Sequence, residues 1–278
     1  MRKYGLLGYP LGHSYSPLIH NKIYELLELD YQYLLLECQE YELEKYISAL
    51  RNNDYYGFNV TIPYKKEIMK YLDEISDEAL AIGAVNTVAN INGKIVGFNT
   101  DYYGFYNEIL YYNINVKNKD CYILGTGGAS LAINKALLDL GANTYFVSRN
   151  KTGNNIISYL ELAKRDIYLL VNTTPVGMHP KEGVSPVNCD IAKNSKYVMD
   201  IIFNPSVTKL LSDANSEMNG LYMLVLQAIK AEEIWLDKKL SNYSEDVLEY
   251  VRKKIWIILE DCFKLIFLVN LMENRWVF

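Results

Sequence analysis

The stretch Tyr122-Ile-Leu-Gly-Thr-Gly-Gly-Ala-Ser-Leu-Ala-Ile-Asn134 decides the fold class of this chain. An apolar run ends there in a glycine turn over 125–130, a helical pattern over 129–140 follows at once, and a second apolar run spans 144–147. This order is typical of a phosphate-binding unit, because helix N-termini present free N–H groups and glycine lets the backbone approach a phosphate. We therefore predict a dinucleotide site at the turn. The alternative is a glycine-rich turn that binds no ligand.

The overall composition argues against several classes of partner. The chain has 278 residues, 50% of them hydrophobic, and its net charge of −5 speaks against nucleic acid and anionic membranes. No apolar segment reaches the roughly 18 residues that span a bilayer, and the first residues lack the apolar run of a signal peptide. Histidines and cysteines are scattered, so we expect a cytoplasmic protein without a metal site or disulfides. The cysteines are Cys38, Cys121, Cys189 and Cys262.

The rest of the chain alternates between strand and helix patterns, which predicts a parallel α/β arrangement. Predicted strands before the glycine turn lie at 3–8, 30–37 and 57–62, with helices at 17–29, 40–52, 64–71, 76–82 and 102–112. Asn92-Gly93 marks the turn of a hairpin over 85–98. After the glycine turn, strands are predicted at 167–171 and 197–202, a helix or strand at 156–162, and a helix from Gly220 onward.

Several neutral polar residues are placed where an α/β sheet binds ligands. Asn59 and Thr61 point the same way near the end of a predicted strand, and open α/β sheets bind ligands beyond that end. Neutral donors and acceptors with one lysine and one aspartate suit a polyhydroxylated substrate. The further candidates are Ser14, Ser16, Lys65, Asn86, Asp101 and Gln227.

Each of these candidates has a purely structural alternative. Ser14 and Ser16 could be turn and helix-cap residues, with Ser16 as N-cap before Pro17. Lys65 could be a solvated residue at a helix start, and Asp101 could cap the helix that follows it. Asn86 could belong only to the hairpin.

Seven motifs, taken together and in this order, resemble the shikimate dehydrogenase family. They run through most of the chain and stand here as Gly8-Tyr-Pro-Leu-Gly-His-Ser-Tyr-Ser-Pro17, Gly57-Phe-Asn-Val-Thr-Ile-Pro-Tyr-Lys-Lys66, Ile82-Gly-Ala-Val-Asn-Thr87, Gly97-Phe-Asn-Thr-Asp-Tyr-Tyr-Gly104, Gly125-Thr-Gly-Gly-Ala-Ser130, Asn172-Thr-Thr-Pro-Val-Gly-Met178 and Gly220-Leu-Tyr-Met-Leu-Val-Leu-Gln227.

The resemblance implies an oxidoreductase that reversibly reduces 3-dehydroshikimate to shikimate with NADPH, in the chorismate route to aromatic amino acids. Lys65 and Asp101 would form the catalytic pair, and Ser14 and Ser16 would hold the substrate carboxylate. The ring hydroxyls would be held by Asn59, Thr61, Asn86, Asp101 and Gln227. The implied fold has a substrate domain of residues 1–101 plus 220–278 and a Rossmann-like NADP domain of residues 102–219, with the active site between them.

The choice of NADP over NAD can be argued from the residue after the second strand of the nucleotide unit. An acidic residue there bonds the ribose 2′-hydroxyl of NAD, whereas an arginine suits the 2′-phosphate of NADP. This chain has Arg149 and no acidic neighbour, so we predict NADP; an exposed loop arginine is the alternative. The complete predicted cofactor set is Gly125, Thr126, Gly127, Gly128, Ala129, Ser148, Arg149, Asn150, Thr173, Thr174 and Met223.

Two segments depart from the family pattern. The stretch 149–172 is short by about one helix, which affects the adenine side of the cofactor site. The segment 254–278 matches no part of the pattern; it is predicted to be an apolar helix packed on the body or a subunit contact, in a monomer or homodimer. Two alternatives stay open: a broader quinate/shikimate dehydrogenase, and a dinucleotide-binding regulatory module without turnover.

Overall fold

The structure is a computed structural model that describes residues 1–12, 14–150 and 152–254. Within this part the chain forms two sheets with helices packed against them, as predicted. The predicted tail lies outside the described residues except for Lys254. In the same described part, no helix is both long enough and apolar enough to span a bilayer.

The first sheet has six strands in the order β2-β1-β3-β5-β6-β4. β1, β2 and β3 are parallel, whereas β5 and β6 form the predicted antiparallel hairpin. The strands are β1 (Arg2–Gly8), β2 (Tyr31–Glu37), β3 (Gly57–Val60), β4 (Glu74–Ile75), β5 (Thr87–Ile91) and β6 (Lys94–Phe98), and the helices between them are α1 (Ser16–Leu26), α2 (Leu43–Arg51) and α3 (Asp77–Ile82). Strands and helices alternate as the sequence predicts up to β3.

The second sheet has five parallel strands in the order β11-β10-β7-β8-β9. They are β7 (Asp120–Leu124), β8 (Asn143–Val147), β9 (Ile156–Ile157), β10 (Leu169–Asn172) and β11 (Tyr197–Asp200), with helices α5 (Gly128–Asp139), α6 (Tyr159–Leu162), α7 (Cys189–Asn194) and α8 (Lys209–Ala214). The chain passes from β7 to β8 on one side, and later reaches β10 on the other. This change of direction puts a crevice at the carboxyl end of β7, where α/β sheets bind ligands.

Two long helices connect the sheets. α4 (Thr100–Tyr111) follows the hairpin and packs along α9 (Leu221–Leu236) and against α5. The approach to α9 is close because α4 has a glycine there: a Cβ on Gly104 would lie 2.7 Å from the main-chain oxygen of Met223.

The helix α9 returns the chain to the first sheet, which confirms the prediction that the C-terminal helices rejoin the first part of the fold. The Trp235 indole covers Gly57 of β3, and its Nε1–H donates to the Val88 carbonyl oxygen at 3.0 Å. α9 also packs on α1, and residues 244–254 are helical and join the same core.

Two local predictions and two of the structural alternatives need correction. β3 ends at Val60, so Thr61 is outside the strand and its alternation. The predicted helix at 64–71 is a 3₁₀ turn over Glu67–Tyr71. Ser16 is inside α1, whose N-cap is Tyr15, and Asp101 does not cap α4, because the Asn99 side chain accepts the hydrogen bond from the Tyr102 N–H.

Candidate active site

A cavity of about 500 Å³ opens beyond the carboxyl ends of β1 and β3 and reaches α5 and α9. The structure brings all eight predicted substrate residues together in its lining, although they come from widely separated parts of the chain. They are Ser14, Ser16, Asn59, Thr61, Lys65, Asn86, Asp101 and Gln227. Ala129 and Met223, which were predicted on the cofactor side, line the same cavity.

The charged pair of the cavity is Lys65 and Asp101. The Lys65 Nζ donates to Asp101 Oδ2 at 2.5 Å, and only 16% and 12% of the two side chains is exposed. Asp101 belongs to the first turn of α4, where the positive end of the helix dipole favours a carboxylate. Lys65 is held through its main chain, since its carbonyl oxygen accepts from the Val85 N–H at 2.8 Å.

A buried hydrogen-bond network holds the amide side chains of the cavity. Asn59 Nδ2 donates to Thr87 Oγ1 at 3.0 Å, and Asn86 Nδ2 donates to Thr100 Oγ1 at 3.1 Å. The Thr100 main-chain N–H donates to Asn86 Oδ1 at 2.7 Å, and its hydroxyl reaches Gln227 Oε1 at 3.5 Å. Because these groups are restrained before any ligand arrives, they can discriminate between substrates at little cost in side-chain ordering.

The two serines of the first loop lie side by side. Ser14 Oγ donates to Ser16 Oγ and accepts from the Ser16 main-chain N–H, both at 3.2 Å. Both side chains are half-buried, so their hydroxyls can still turn toward a ligand in the cavity.

The glycine turn has the conformation that a phosphate-binding turn needs. Gly125 has φ +108°, and a Cβ there would lie 2.8 Å from Thr173 Oγ1. The helix α5 begins without a side-chain cap, and a Cβ on Gly127 would meet no atom within 4 Å. Among the described residues, the start of α5 thus has no side-chain cap and has open space beside Gly127, which fits a bound pyrophosphate.

A second cavity, of about 1050 Å³, extends from this turn. Arg149 and Tyr159 line it, as do Ser185 and Asn188; burial raises the pKa of Tyr159 and the Arg149 guanidinium opposes that rise. The predicted cofactor residues in its lining are Gly125, Thr126, Gly127, Arg149, Thr173 and Thr174. An arginine, a threonine pair and an uncapped helix form a donor set that suits a phosphorylated dinucleotide.

The two cavities adjoin. Ile62, with 73% of its surface exposed, lines both of them. A Cβ on Gly128 would lie 3.4 Å from Lys65 Cδ, so the glycine turn runs directly beside the charged pair. A dinucleotide on the turn and a small ring beside Lys65 would thus be neighbours.

The structure does not bring every predicted cofactor residue to a cavity wall. Gly128, Ser148 and Asn150 are absent from both linings, and the Asn150 N–H donates to Ser148 Oγ within the loop at 3.3 Å. Sequence reasoning also missed Thr100, Tyr33, Tyr159 and Asn188. Only Thr100 had a usable signal, because it stands inside the motif Asn99-Thr-Asp101.

A buried carboxylate supports the loop after β10. Asp200 Oδ1 accepts from Asn172 Nδ2 and from the Ile202 N–H, both at 3.0 Å, and Oδ2 accepts from the Thr208 hydroxyl at 2.8 Å. Burial raises the pKa of Asp200 to about 6, and the three hydrogen bonds oppose that rise. The network holds Asn172, from which the loop with Thr173 and Thr174 leaves the strand.

Fold and site together define an α/β protein of two sheets with a lysine–aspartate pair next to a glycine turn. The model of the shikimate dehydrogenase substrate binding domain matches residues 6–88. A shikimate dehydrogenase (NADP(+)) of Clostridium beijerinckii is 43% identical over 255 residues, which cover 87% of this chain and 94% of the relative.

Solved structures agree with the sequence comparison. A chorismate mutase/shikimate 5-dehydrogenase fusion protein from Clostridium acetobutylicum superposes with a TM-score of 0.89 at 39% identity, covering 92% of this chain and 98% of that one. A Thermus thermophilus shikimate 5-dehydrogenase in complex with NADP(H) and shikimate gives 0.79 at 28% identity, covering 91% and 99%. The chain belongs to the shikimate dehydrogenase family.

Proposed function

We propose that the protein is an NADP-dependent shikimate dehydrogenase that interconverts 3-dehydroshikimate and shikimate in chorismate and aromatic amino-acid biosynthesis. The observation that carries the proposal is the Lys65–Asp101 pair, set at 2.5 Å in a cavity that adjoins the glycine turn. Family membership supports the substrate and the cofactor, and the geometry supports the roles that we propose for the residues.

The substrate would lie in the smaller cavity, with its carboxylate on the hydroxyls of Ser14 and Ser16. Its ring hydroxyls would meet the neutral groups of the same lining, namely Asn59, Thr61, Asn86 and Gln227. Neutral amides and hydroxyls match ring hydroxyls because each can donate and accept. An analogue that lacked a hydroxyl would leave one of these groups unpaired, so binding is selective.

Lys65 would act on the oxygen at the reacting carbon. A ketone oxygen gains negative charge during reduction, and an ammonium within hydrogen-bond distance stabilises that charge and can hold the proton that the oxygen needs. Asp101 would orient the ammonium and would also bind the substrate hydroxyl next to the reacting carbon. In the reverse direction the same pair would accept the proton from the substrate hydroxyl.

The larger cavity would hold NADP, which supplies the hydride acceptor and donor when it is bound. The uncapped N-terminus of α5 would bind the pyrophosphate and Arg149 the 2′-phosphate, while Thr173, Thr174 and Met223 would flank the nicotinamide. Gly128, Ser148 and Asn150 belong to the same proposed cofactor segments, to which they would contribute only their main chain.

We also propose the domain division that the resemblance implies. Residues 1–101 and 220–278 would form the substrate domain, and residues 102–219 the Rossmann-like NADP domain. The two sheets support it, because all strands of the first lie within 2–98 and all strands of the second within 120–200. We expect a cytoplasmic enzyme that is a monomer or a homodimer, without nucleic-acid or membrane partners.

The direct test is a spectrophotometric scan of shikimate and quinate, each with NADP and with NAD. The proposal expects the highest kcat/KM for shikimate with NADP. Faster turnover of quinate would favour the broader quinate/shikimate dehydrogenase, and no turnover with any pair would favour a regulatory dinucleotide-binding module.

Replacing Lys65 tests its proposed role. Lys65→Ala should lower kcat about 100-fold or more with little change in unfolding temperature, because a positioned proton donor contributes ~10²-fold or more. Lys66→Ala is the matched control, since Lys66 is exposed and lines neither cavity. Near-normal turnover of Lys65→Ala would remove Lys65 from the mechanism.

A further inference from the structure

Directly behind the substrate cavity is a buried tyrosine that no part of the proposed mechanism uses. Tyr33 of β2 is 3% exposed and does not line the cavity. Its hydroxyl donates to Asn59 Oδ1 at 2.7 Å, whereas Asn59 itself does line the cavity. The tyrosine therefore contacts a proposed substrate-binding amide from its protein side.

The partners of Asn59 determine which way its amide faces. Nδ2 donates to Thr87 Oγ1 at 3.0 Å and to the Asn86 main-chain oxygen at 3.3 Å. A main-chain oxygen can only accept, so a flipped amide would set two acceptors against each other. The correct orientation leaves Oδ1 in need of a donor, and the Tyr33 hydroxyl supplies it.

The Tyr33 ring is itself held firmly from two helices. It stacks on the His20 ring of α1 with a centroid distance of 4.0 Å and an interplanar angle of 4°. His20 Nδ1 lies 2.6 Å from Glu232 Oε1 of α9, and both side chains are fully buried. Tyr33 thus joins α1, through the stack on His20, to the strand that carries Asn59.

The fixed amide continues into the rest of the substrate wall. Thr87 Oγ1 donates to Asn86 Oδ1 at 3.0 Å and lies 3.1 Å from Thr100 Oγ1, which in turn reaches Gln227. An error in the orientation of Asn59 would disturb the acceptors and donors that Thr87 offers to this wall.

We propose that Tyr33 is a positioning residue for substrate recognition, whose phenol hydroxyl binds Asn59 Oδ1 and so holds the Asn59 side chain where it lines the cavity. The inference rests on the proposed function, because it concerns how shikimate is selected. Tyr33 does not touch the substrate; it acts through Asn59 and is held by the His20–Glu232 pair.

Tyr33→Phe tests the proposal, because it removes the hydroxyl and keeps the ring on His20. We expect kcat/KM for shikimate to fall about fivefold to tenfold, mainly because KM for shikimate rises, while KM for NADP stays unchanged. This size of effect corresponds to the loss of one neutral hydrogen bond. Tyr64→Phe is the control, since the Tyr64 hydroxyl donates to the Cys38 carbonyl oxygen at the same 2.7 Å, away from the cavity. Similar losses of kcat/KM in both variants would overturn the proposal.

A double-mutant cycle separates positioning from a general structural effect. If Tyr33 acts through Asn59, adding Tyr33→Phe to Asn59→Ala should cost little more in kcat/KM than Asn59→Ala alone. An undiminished loss in the Asn59→Ala background would overturn the proposal. Thr87→Val, which removes a partner at the other end of the amide, should raise KM for shikimate in the same selective way, and an unchanged KM would count against it.

These results are distinguishable from failure of the proposed function. If the unaltered protein turns over no shikimate with NADP, the function itself is wrong. If it does so and Tyr33→Phe keeps the KM of the unaltered protein, only the inference about Tyr33 is wrong.

Discussion

The ammonium of Lys65 and the carboxylate of Asp101 are 36 positions apart in sequence, yet their nitrogen and oxygen lie 2.5 Å apart in the cavity. Both side chains are largely shielded from water, and charges interact more strongly where the effective dielectric constant is lower. The pair is therefore suited to stabilise charge that develops on a substrate oxygen. A solvated lysine at a helix start, the simpler explanation of Lys65, does not account for this contact.

Arg149 carries the prediction of cofactor choice. Arg149→Ala should weaken NADP binding about tenfold or more and change NAD binding little, because only NADP has a 2′-phosphate for the guanidinium to contact. Titration of Kd for both cofactors measures the effect, and Arg165→Ala is the control because Arg165 is exposed and lines neither cavity. Equal losses for NADP and NAD would show that Arg149 does not contact the phosphate.

At the scale of elements, the packing of α4 on α9 sets the geometry between the two sheets. Gly104 allows the close approach, and next to it the buried Glu108 of α4 accepts a hydrogen bond from the Met223 main-chain N–H of α9. Among the described residues, Glu108 Oε1 has no hydrogen-bond partner, and burial raises the pKa of Glu108 to about 8. Met223 lines the substrate cavity, so this carboxyl supports a helix that carries site residues.

Glu108 should make stability depend on pH. Its folded-state pKa of about 8 is above the ordinary glutamate pKa of 4.5, so between these values the folded protein keeps a proton that the unfolded chain releases. The stabilisation is complete below pH 4.5 and is lost as pH rises through about 8, with a slope of at most ~1.4 kcal/mol per pH unit.

The variant Glu108→Gln tests this dependence, because a neutral amide cannot ionise. Chemical denaturation at pH 5, 7 and 9 should show that the free energy of unfolding of the variant, relative to that of the unaltered protein, increases as pH rises. A constant difference across this range would mean that Glu108 does not titrate there. Asp139→Asn on the exposed surface of α5 serves as the control. Burial raises the pKa of Asp139, but its hydrogen bonds to Lys135 and Tyr102 outweigh burial and lower the pKa overall, so Asp139 stays ionised across this pH range.

For the complete fold, the proposed active site depends on both sheets. The first sheet contributes the substrate wall and Lys65, the second contributes the glycine turn, and Ile62 borders both cavities. Neither sheet alone would form the site, which is why α9 must bring Gln227 and Met223 back to it.

Ligands that meet in this cleft should stabilise the protein jointly. NADPH or shikimate alone, at 100 times its Kd, should add about 2.7 kcal/mol to the free energy of unfolding. NADPH and shikimate cannot react with each other, so both can be present together. We expect their joint stabilisation to exceed the sum of the two single stabilisations, because contact between neighbouring ligands couples their binding. Thermal unfolding with each ligand and with both measures the coupling; strictly additive shifts would place the ligands in independent sites.

The amino-acid sequence was enough to predict the fold class, the glycine turn, the order of strands and helices up to β3, and a set of eight polar residues that the structure brings into one cavity. These follow from short-range rules: the period of apolar residues, the turn preference of glycine and asparagine, and the position of polar residues after strands. The same rules failed where the chain leaves a regular element, as at Thr61 and Ser16.

Only the tertiary structure decided which side chains support that set. The contacts of Tyr33 with Asn59 and of His20 with Glu232 join residues 26 and 212 positions apart, and no local pattern encodes them. Such pairings arise from the packing of distant elements, because burying a polar group is favourable only where another part of the chain supplies its partner.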